Sequence, residues 1–340
     1  MKKHNLHAQV TTKSILQENL QKSFTTGTTL RGFGLSALNI KTMILTTALV
    51  TGCMGCFDKT GNGSFGTLPT GASLETLSHD GQTREFIVYV PSSYDGSEAL
   101  PLMLNFHGFG GTASDFMHWT DMQDLAEQEN FILVYPQGTS LDGYPHWNSA
   151  LPGPDNKSSA DDFGFVEAML EDISSSYNVN TDRVYASGYS NGAFFSYALA
   201  CYRSDLVAAV GSVSGTMAGI IPDCNPSHPT AMINIHGTSD GVVPYNGDAD
   251  YSSVDDVVNY WIGFNDTRTT PTITTINTEG TTIDGYVYTG GEGNTEVAHY
   301  RVNGGQHVWF ELDFDGSSTG ELIWAFVSRY NKNGRLEAAE

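Results

Sequence analysis

Along most of this chain, short apolar runs alternate with longer stretches of helical spacing. EFIVYV (85–90) reads as a strand ended by Pro91, and LPLMLNFHG (100–108) as a buried strand closed by a turn. DFMHWTDMQDLAEQEN (115–130) has the spacing of a helix, with Asp115 able to cap its start. FILVYP (131–136) returns to strand and DDFGFVEAMLEDISSSY (161–177) to helix. RVYAS (183–187) then reads as strand, NGAFFSYALACY (191–202) as helix and LVAAVGSVSG (206–215) as strand. AMINIHG (231–237) and VAHYRVN (297–303) are further strands; SVDDVVNYWIGF (253–264) and GELIWAFVSRY (320–330) are further helices. The Thr-rich stretch 265–295 is expected to hold a hairpin and loops. No internal repeat is visible. Strands alternating with helices predict an α/β fold, its sheet mainly parallel and covered by helices on both faces.

The first 70 residues do not share this pattern. MILTTALVTGC (43–53) is a short apolar stretch behind Lys41 that ends in small residues before Cys53. It is too short for a comfortable membrane span and resembles a lipoprotein signal peptide, with Cys53 as the lipidated residue. An ordinary secretory signal cut nearby is the alternative. The 42 residues before this run exceed what a signal needs, so a translation start near Leu38 would suit it better. Residues 1–53 are thus assigned to an N-terminal extension and signal peptide, and 54–70, rich in Gly and Thr, to a flexible linker. Residues 71–332 form one large folded domain and 333–340 a C-terminal tail. After residue 53 no run of about 18 apolar residues occurs, so the body is expected to be soluble.

Charge sharpens that division. The whole chain carries −22, but before Phe57 there are six basic residues and one acid, leaving −27 on the remainder. Such a body repels nucleic acid and anionic membrane surfaces, so no nucleic-acid partner is expected and membrane contact only through a lipid anchor. Cys201 and Cys224 are the only cysteines past the linker. In an exported chain they favour a disulfide, with two buried thiols as the alternative.

Candidate chemistry centres on GYSNGA (188–193), placed between a predicted strand and a predicted helix. A sharp strand-to-helix turn leaves no room for β-carbons beside its serine, which explains the two glycines. Ser190 is the candidate nucleophile, with the helix N-terminus behind it favouring developing negative charge. A serine hydroxyl needs a base, and the base a carboxylate, in the chain order Ser, acid, His. His307, in the glycine-rich loop NGGQHVW, is preferred as base over His299, which lies at a strand position. Asp240, in the loop leaving AMINIHG, is preferred as acid over Asp223, Asp248 and Asp250. The oxyanion donors are expected to be the N–H of Asn191 and that of Phe109 in NFHGFGG, with Gly108 as rival to Phe109. Gly108, Trp147 and Trp309 are candidate substrate contacts; plain packing is the alternative for either tryptophan. His107 and His236 are read as structural. No metal-ligand spacing occurs and no cofactor is called for, although the acidic stretch 248–256 could take Ca²⁺ if it is not simply a solvated face.

HGFGG, DDFGFV, RVYASGYSNGA, HGTSDGVVPY and GGQHVW, in that order, resemble a known group. It is the exported α/β-hydrolases that include feruloyl esterases of the carbohydrate esterase type and polyhydroxybutyrate depolymerase-like proteins. The resemblance runs from about Thr83 to Tyr330. It implies an α/β-hydrolase fold for the catalytic domain and places the family's serine, aspartate and histidine on Ser190, Asp240 and His307. It also implies a Cys201–Cys224 disulfide. Two departures stand out: family members often carry extra cysteines near Asn265 and Tyr288, and GGGHTWP where this chain has GGQHVWF. The implied activity is an exported serine esterase acting on feruloyl esters of plant polysaccharide or, alternatively, on aliphatic polyesters. A peptidase or thioesterase using the same residues, and a catalytically silent binding protein on the same fold, are the rival readings.

Overall fold

The computed structural model describes residues 68–153 and 156–337. Cys53 and most of the 54–70 linker lie outside the described residues. In chain order the elements begin with β1 (Ala72–His79), β2 (Gln82–Tyr89), β3 (Leu100–Phe106), α1 (Ala113–Thr120), α2 (Gln123–Glu129) and β4 (Ile132–Pro136). A small hairpin follows, β5 (Thr139–Leu141) and β6 (Tyr144–His146), then α3 (Asp162–Ser176), β7 (Val179–Tyr189), α4 (Asn191–Tyr202) and β8 (Ala209–Val213). The second half holds β9 (Ala231–Gly237), α5 (Val254–Phe264), β10 (Thr272–Thr278), β11 (Thr281–Tyr288) and β12 (Val297–Val302). It closes with α6 (Thr319–Val327), β13 (Tyr330–Asn331) and β14 (Gly334–Arg335).

Ten strands form one sheet in the order β1-β2-β4-β3-β7-β8-β9-β12-β11-β10. From β4 through β12 the neighbours are parallel. Both margins are antiparallel. Residues of β3, β4, β8 and β9 are all buried, as expected of strands covered on both faces, whereas β10 at the margin is mostly exposed. Alternation along β3 sends Leu102, Leu104 and Phe106 into one core, with Phe195 and Trp261, and Met103 into the other, with Tyr185 and Trp324. This is the α/β-hydrolase arrangement, a large mostly parallel sheet between helices.

Three expectations need correction. The helix expected over 115–130 is two helices, because Asp121 turns left-handed at φ 47° and ends α1; Thr112, not Asp115, caps its start, its side chain accepting from Asp115 N. The strand β1 and the β5–β6 hairpin were not anticipated from the pattern. The tail assigned to 333–340 begins too early: β14 pairs with β13, and Arg335 Nη1 reaches Glu296 Oε1 at 2.6 Å, so the fold continues at least to Arg335. Cys201 and Cys224 form a disulfide that ties the end of α4 to the loop after β8. No helix among the described residues is long and apolar enough to cross a membrane.

Candidate active site

Strand β7 ends at Tyr189 and helix α4 begins at Asn191, so Ser190 alone turns the chain. It does so at φ 52° and ψ −118°, a strained conformation for a residue with a side chain. The flanking glycines are required by close approach. A Cβ on Gly188 would lie 2.5 Å from the Gly192 carbonyl, and one on Gly192 would lie 2.6 Å from the His107 oxygen. Ser190 N donates to Val213 O at 2.9 Å, which fastens the turn to the neighbouring strand β8.

The parallel strands deliver three side chains to the same edge of the sheet. His307, in the loop after β12, has Nε2 at 2.9 Å from Ser190 Oγ. Its Nδ1 lies 2.8 Å from Asp240 Oδ2, in the loop after β9. Asp240 is buried, and its other oxygen accepts from Val242 N at 2.9 Å and Val243 N at 2.8 Å. His236 Nε2 donates to Val243 O at 2.9 Å and also lies 3.3 Å from Asp240 Oδ2. Burial alone would raise the Asp240 carboxyl. Hydrogen bonds from His236, His307 and the two backbone N–H groups outweigh it and hold the group well below the usual carboxylate range. An ionised Asp240 fixes the tautomer with hydrogen on His307 Nδ1, leaving Nε2 free to accept a proton from Ser190. Of the rival carboxylates, Asp248 serves a turn, its Oδ1 accepting from Asp250 N and Tyr251 N, and Asp223 ends a short 3-10 helix, Ile221–Asp223. His299 lies inside the sheet, between Asn234 and Tyr245.

The loop after β3 borders this turn. A Cβ on Gly108 would meet Tyr189 Cδ1 at 2.9 Å and Ser190 Cβ at 3.5 Å, so Gly108 stands directly beside the serine. His107 is buried. Its Nε2 accepts from Gly138 N at 3.0 Å, so its Nδ1 donates to Gly108 O at 2.7 Å. Burial pushes the His107 imidazole down to about 4, which keeps it neutral for both contacts. The Gly108 carbonyl is thereby held toward His107, and the trans peptide turns the Phe109 N–H the opposite way. Neither Phe109 N nor Asn191 N has an acceptor among the described residues. Two such donors beside a serine can receive an oxyanion.

The tryptophans do not line this site. Trp147 is 0% exposed, stacked on Phe195 and edge-on to Phe106. Its Nε1 donates to His107 O at 3.1 Å, while Asn191 Oδ1 accepts from Trp147 N at 2.8 Å. It is a buried bridge between the loop after β3 and Asn191, the first residue of α4. Trp309 is 4% exposed and packs edge-on against Phe116. Other apolar side chains take the exposed positions. Phe109 and Tyr144, about half exposed, stack at 5.8 Å; Trp119 is 40% exposed and sits edge-on to Tyr189; Val308 follows His307. Tyr144 and Trp119 are far from every motif in sequence, so no local signal marks them. Tyr189 is inside the motif, but its contact with the His307 loop depends on the fold.

A model of the esterase family, described as "Putative esterase", matches residues 78–259, which includes Ser190 and Asp240. Feruloyl esterase B of Piromyces equi is 27% identical over 260 residues, covering 73% of this chain and 45% of that protein. The bifunctional acetylxylan esterase/xylanase of Neocallimastix patriciarum is 26% identical over 260 residues, covering 76% of this chain and 35% of that protein. The chain thus spans less than half the length of each of these two relatives. Among solved structures, a CE1 ferulic acid esterase from Anaeromyces mucronatus aligns with a TM-score of 0.52 at 18% identity, covering 77% of this chain and 91% of that one. With the family match extending over more than half of its residues, the chain belongs to the esterase family and has the α/β-hydrolase fold.

Proposed function

We propose that this protein is a serine esterase that hydrolyses carboxylic esters through Ser190, His307 and Asp240, with feruloyl esters of plant polysaccharide as its substrates. The observation that carries this reading is the unbroken relay from Ser190 Oγ to His307 Nε2 at 2.9 Å and from His307 Nδ1 to Asp240 at 2.8 Å. In the reaction, Ser190 Oγ attacks the ester carbonyl as its proton passes to His307 Nε2. The carbonyl oxygen becomes an oxyanion that accepts from the N–H groups of Phe109 and Asn191. The imidazolium then protonates the departing alcohol, leaving an acyl group on Ser190. Water, deprotonated by His307, releases the acid and restores the serine.

The relative from Piromyces equi supports a feruloyl acyl group, and so do three exposed aromatic side chains, Phe109 next to Gly108, Tyr144 stacked on it and Trp119 against Tyr189. The relative from Neocallimastix patriciarum favours a second reading, an acetyl ester of xylan. The proposal includes export, supported by the Cys201–Cys224 disulfide, and a lipid on Cys53 with residues 54–70 as its leash. Intact-mass analysis of the membrane fraction tests that anchor, and an unmodified N-terminus at another residue would rule it out.

The test of function compares methyl ferulate, methyl acetate and a polyester film, with wild type and Ser190→Ala. Methyl ferulate is expected to give the highest kcat/KM, and Ser190→Ala to lower kcat on the order of 10⁴-fold or more. Preference for the acetyl ester favours the second reading, and attack on the film alone favours a polyester substrate. A Ser190→Ala enzyme with more than about a tenth of wild-type rate would show that Ser190 is not the nucleophile.

A further inference from the structure

The segment carrying His307 is held on its two sides by different means. Toward β9 the ties involve backbone groups: Ser239 N donates to Gly305 O at 2.9 Å and Gly304 N donates to Thr238 Oγ1 at 2.8 Å. Toward β7 and β8 the ties are two side-chain hydroxyls that bond the backbone beside the imidazole, while the imidazole itself is held by Asp240. Tyr189 Oη donates to the His307 carbonyl at 2.9 Å, and Ser214 Oγ donates to the Val308 carbonyl at 2.9 Å. Val308 and the residues before it belong to a glycine-rich loop, and these two hydroxyls are what hold its carbonyls at His307 and Val308. The origin of both hydroxyls is informative. Tyr189 immediately precedes Ser190, and Ser214 immediately follows Val213, whose carbonyl accepts the Ser190 N–H. Nucleophile turn, β8 end and base loop are therefore joined into one frame that measures the imidazole against the serine. The Tyr189 ring adds to it, lying 5.1 Å from the His307 ring and meeting the edge of Trp119 at 5.1 Å.

We propose that Tyr189 and Ser214 are positioning residues that clamp the His307 loop, holding Nε2 within hydrogen-bond reach of Ser190 Oγ. Neither touches the reacting atoms. Both act on consecutive backbone carbonyls, so they set where the imidazole stands, not its charge. Because the base serves in acylation and again in deacylation, loosening it slows both steps and spares substrate binding. Removing the Tyr189 hydroxyl leaves the ring, and with it the packing against Trp119 and Gly108. Burial pushes the phenol of Tyr189 well above its ordinary value, so it remains a neutral donor throughout the working range of an esterase.

The inference rests on the reading of Ser190 as nucleophile and His307 as base, and the experiment separates the two. Wild type, Ser190→Ala, Tyr189→Phe and Tyr94→Phe are compared on p-nitrophenyl acetate, with the melting temperature of each recorded. Tyr94→Phe is the structural control: its hydroxyl accepts Asn178 N at 2.7 Å near the opposite end of β7. Tyr189→Phe is expected to lower kcat and kcat/KM equally, by roughly tenfold, with KM within about twofold. It should also broaden the low-field proton resonance of His307 Nδ1–H, while Tyr94→Phe changes neither rate nor resonance. Tyr189→Phe with kcat within about twofold of wild type overturns the clamp, as does an equal loss in Tyr94→Phe. If Tyr189→Phe does not fold, Ser214→Ala is held to the same criteria. Activity surviving in Ser190→Ala would instead refute the functional reading itself, and the clamp with it.

Discussion

Asp240 receives four hydrogen-bonding contacts, from His307, His236, Val242 and Val243, so its charge and its orientation have separate supports. Asp240→Asn tests the charge alone, since the amide has nearly the same shape. Its oxygen can still accept at one position, but its NH₂ favours the imidazole tautomer with Nδ1 unprotonated. That tautomer puts hydrogen on Nε2, where the serine proton must arrive. A fall in kcat of about 10⁴-fold is expected, with KM little changed. Asp248→Asn and Asp250→Asn should each stay near wild type, because their carboxylates belong to an exposed turn or to none. A measured kcat for Asp240→Asn within about tenfold of wild type would assign the orienting role elsewhere.

Among the elements, β12 carries a pH dependence that is separate from catalysis. Its His299 is 4% exposed, with Nδ1 3.0 Å from Asn234 Oδ1 and Nε2 2.7 Å from Tyr245 Oη. Nδ1 donates and Nε2 accepts, so the neutral ring satisfies both contacts. Tyr286 stacks on it at 6.0 Å. Burial, with the nearby His236 and Arg301, pushes its pKa down to about 3, and His107 is similarly pushed down to about 4. Both folded-state values lie below the unfolded value of about 6.5, so as pH falls the unfolded chain takes up these protons first. The stability they contribute is complete above about pH 6.5 and is lost below it, until the folded values are reached at about 4 and about 3. Near pH 5 each histidine should remove up to about 1.4 kcal/mol per pH unit, with His107 contributing less as its folded value of about 4 is approached. Melting curves across that range should show a steep slope that His299→Gln roughly halves. A slope unchanged in His299→Gln would mean that other groups set the acid limit.

At the same scale, what the sequence made legible follows a physical rule. Central strands such as β3, β4 and β9 are apolar runs closed by glycine or proline, and they were readable because burial on both faces requires such runs. Strand β1, ASLETLSH, mixes burial and exposure at a sheet margin and gave no such signal. The break at Asp121 lies within continuous helical spacing, and only a left-handed residue marks it. The expected relay of Ser190, Asp240 and His307 was legible because each follows a strand by a short loop, and parallel strands bring such loops to one edge. For Trp147 and Trp309 the alternative of plain packing holds, since position along a loop says nothing about which side of it a ring occupies. Phe109 was chosen for its backbone, yet its exposed ring against Tyr144 depends on a hairpin that the pattern did not reveal.

For the whole molecule, the disulfide connects location to stability. Cys201 lies in the last turn of α4, the helix that starts one residue after Ser190, and Cys224 lies 23 residues on. Closing a loop of that length removes freedom from the unfolded chain, worth about 3 kcal/mol in the chain-entropy account. For a domain of this size each kcal/mol moves the melting temperature by about 2–4 °C, so reduction should lower it by at least about 5 °C. The ten-stranded sheet is hydrogen-bonded without the bridge, whose sulfurs pack in only one of the two cores, and Ser190 is fixed at the other end of the helix by Val213. Hydrolysis of p-nitrophenyl acetate at 25 °C, about the temperature of an ordinary assay, should therefore persist after reduction. The paired variant Cys201→Ser, Cys224→Ser should behave as the reduced protein does. Its comparison with oxidised wild type, with and without dithiothreitol, is the measurement. Equal melting temperatures for all of these would mean that the two sulfurs are not bridged in the folded protein, and the support the bridge lends to export would be withdrawn.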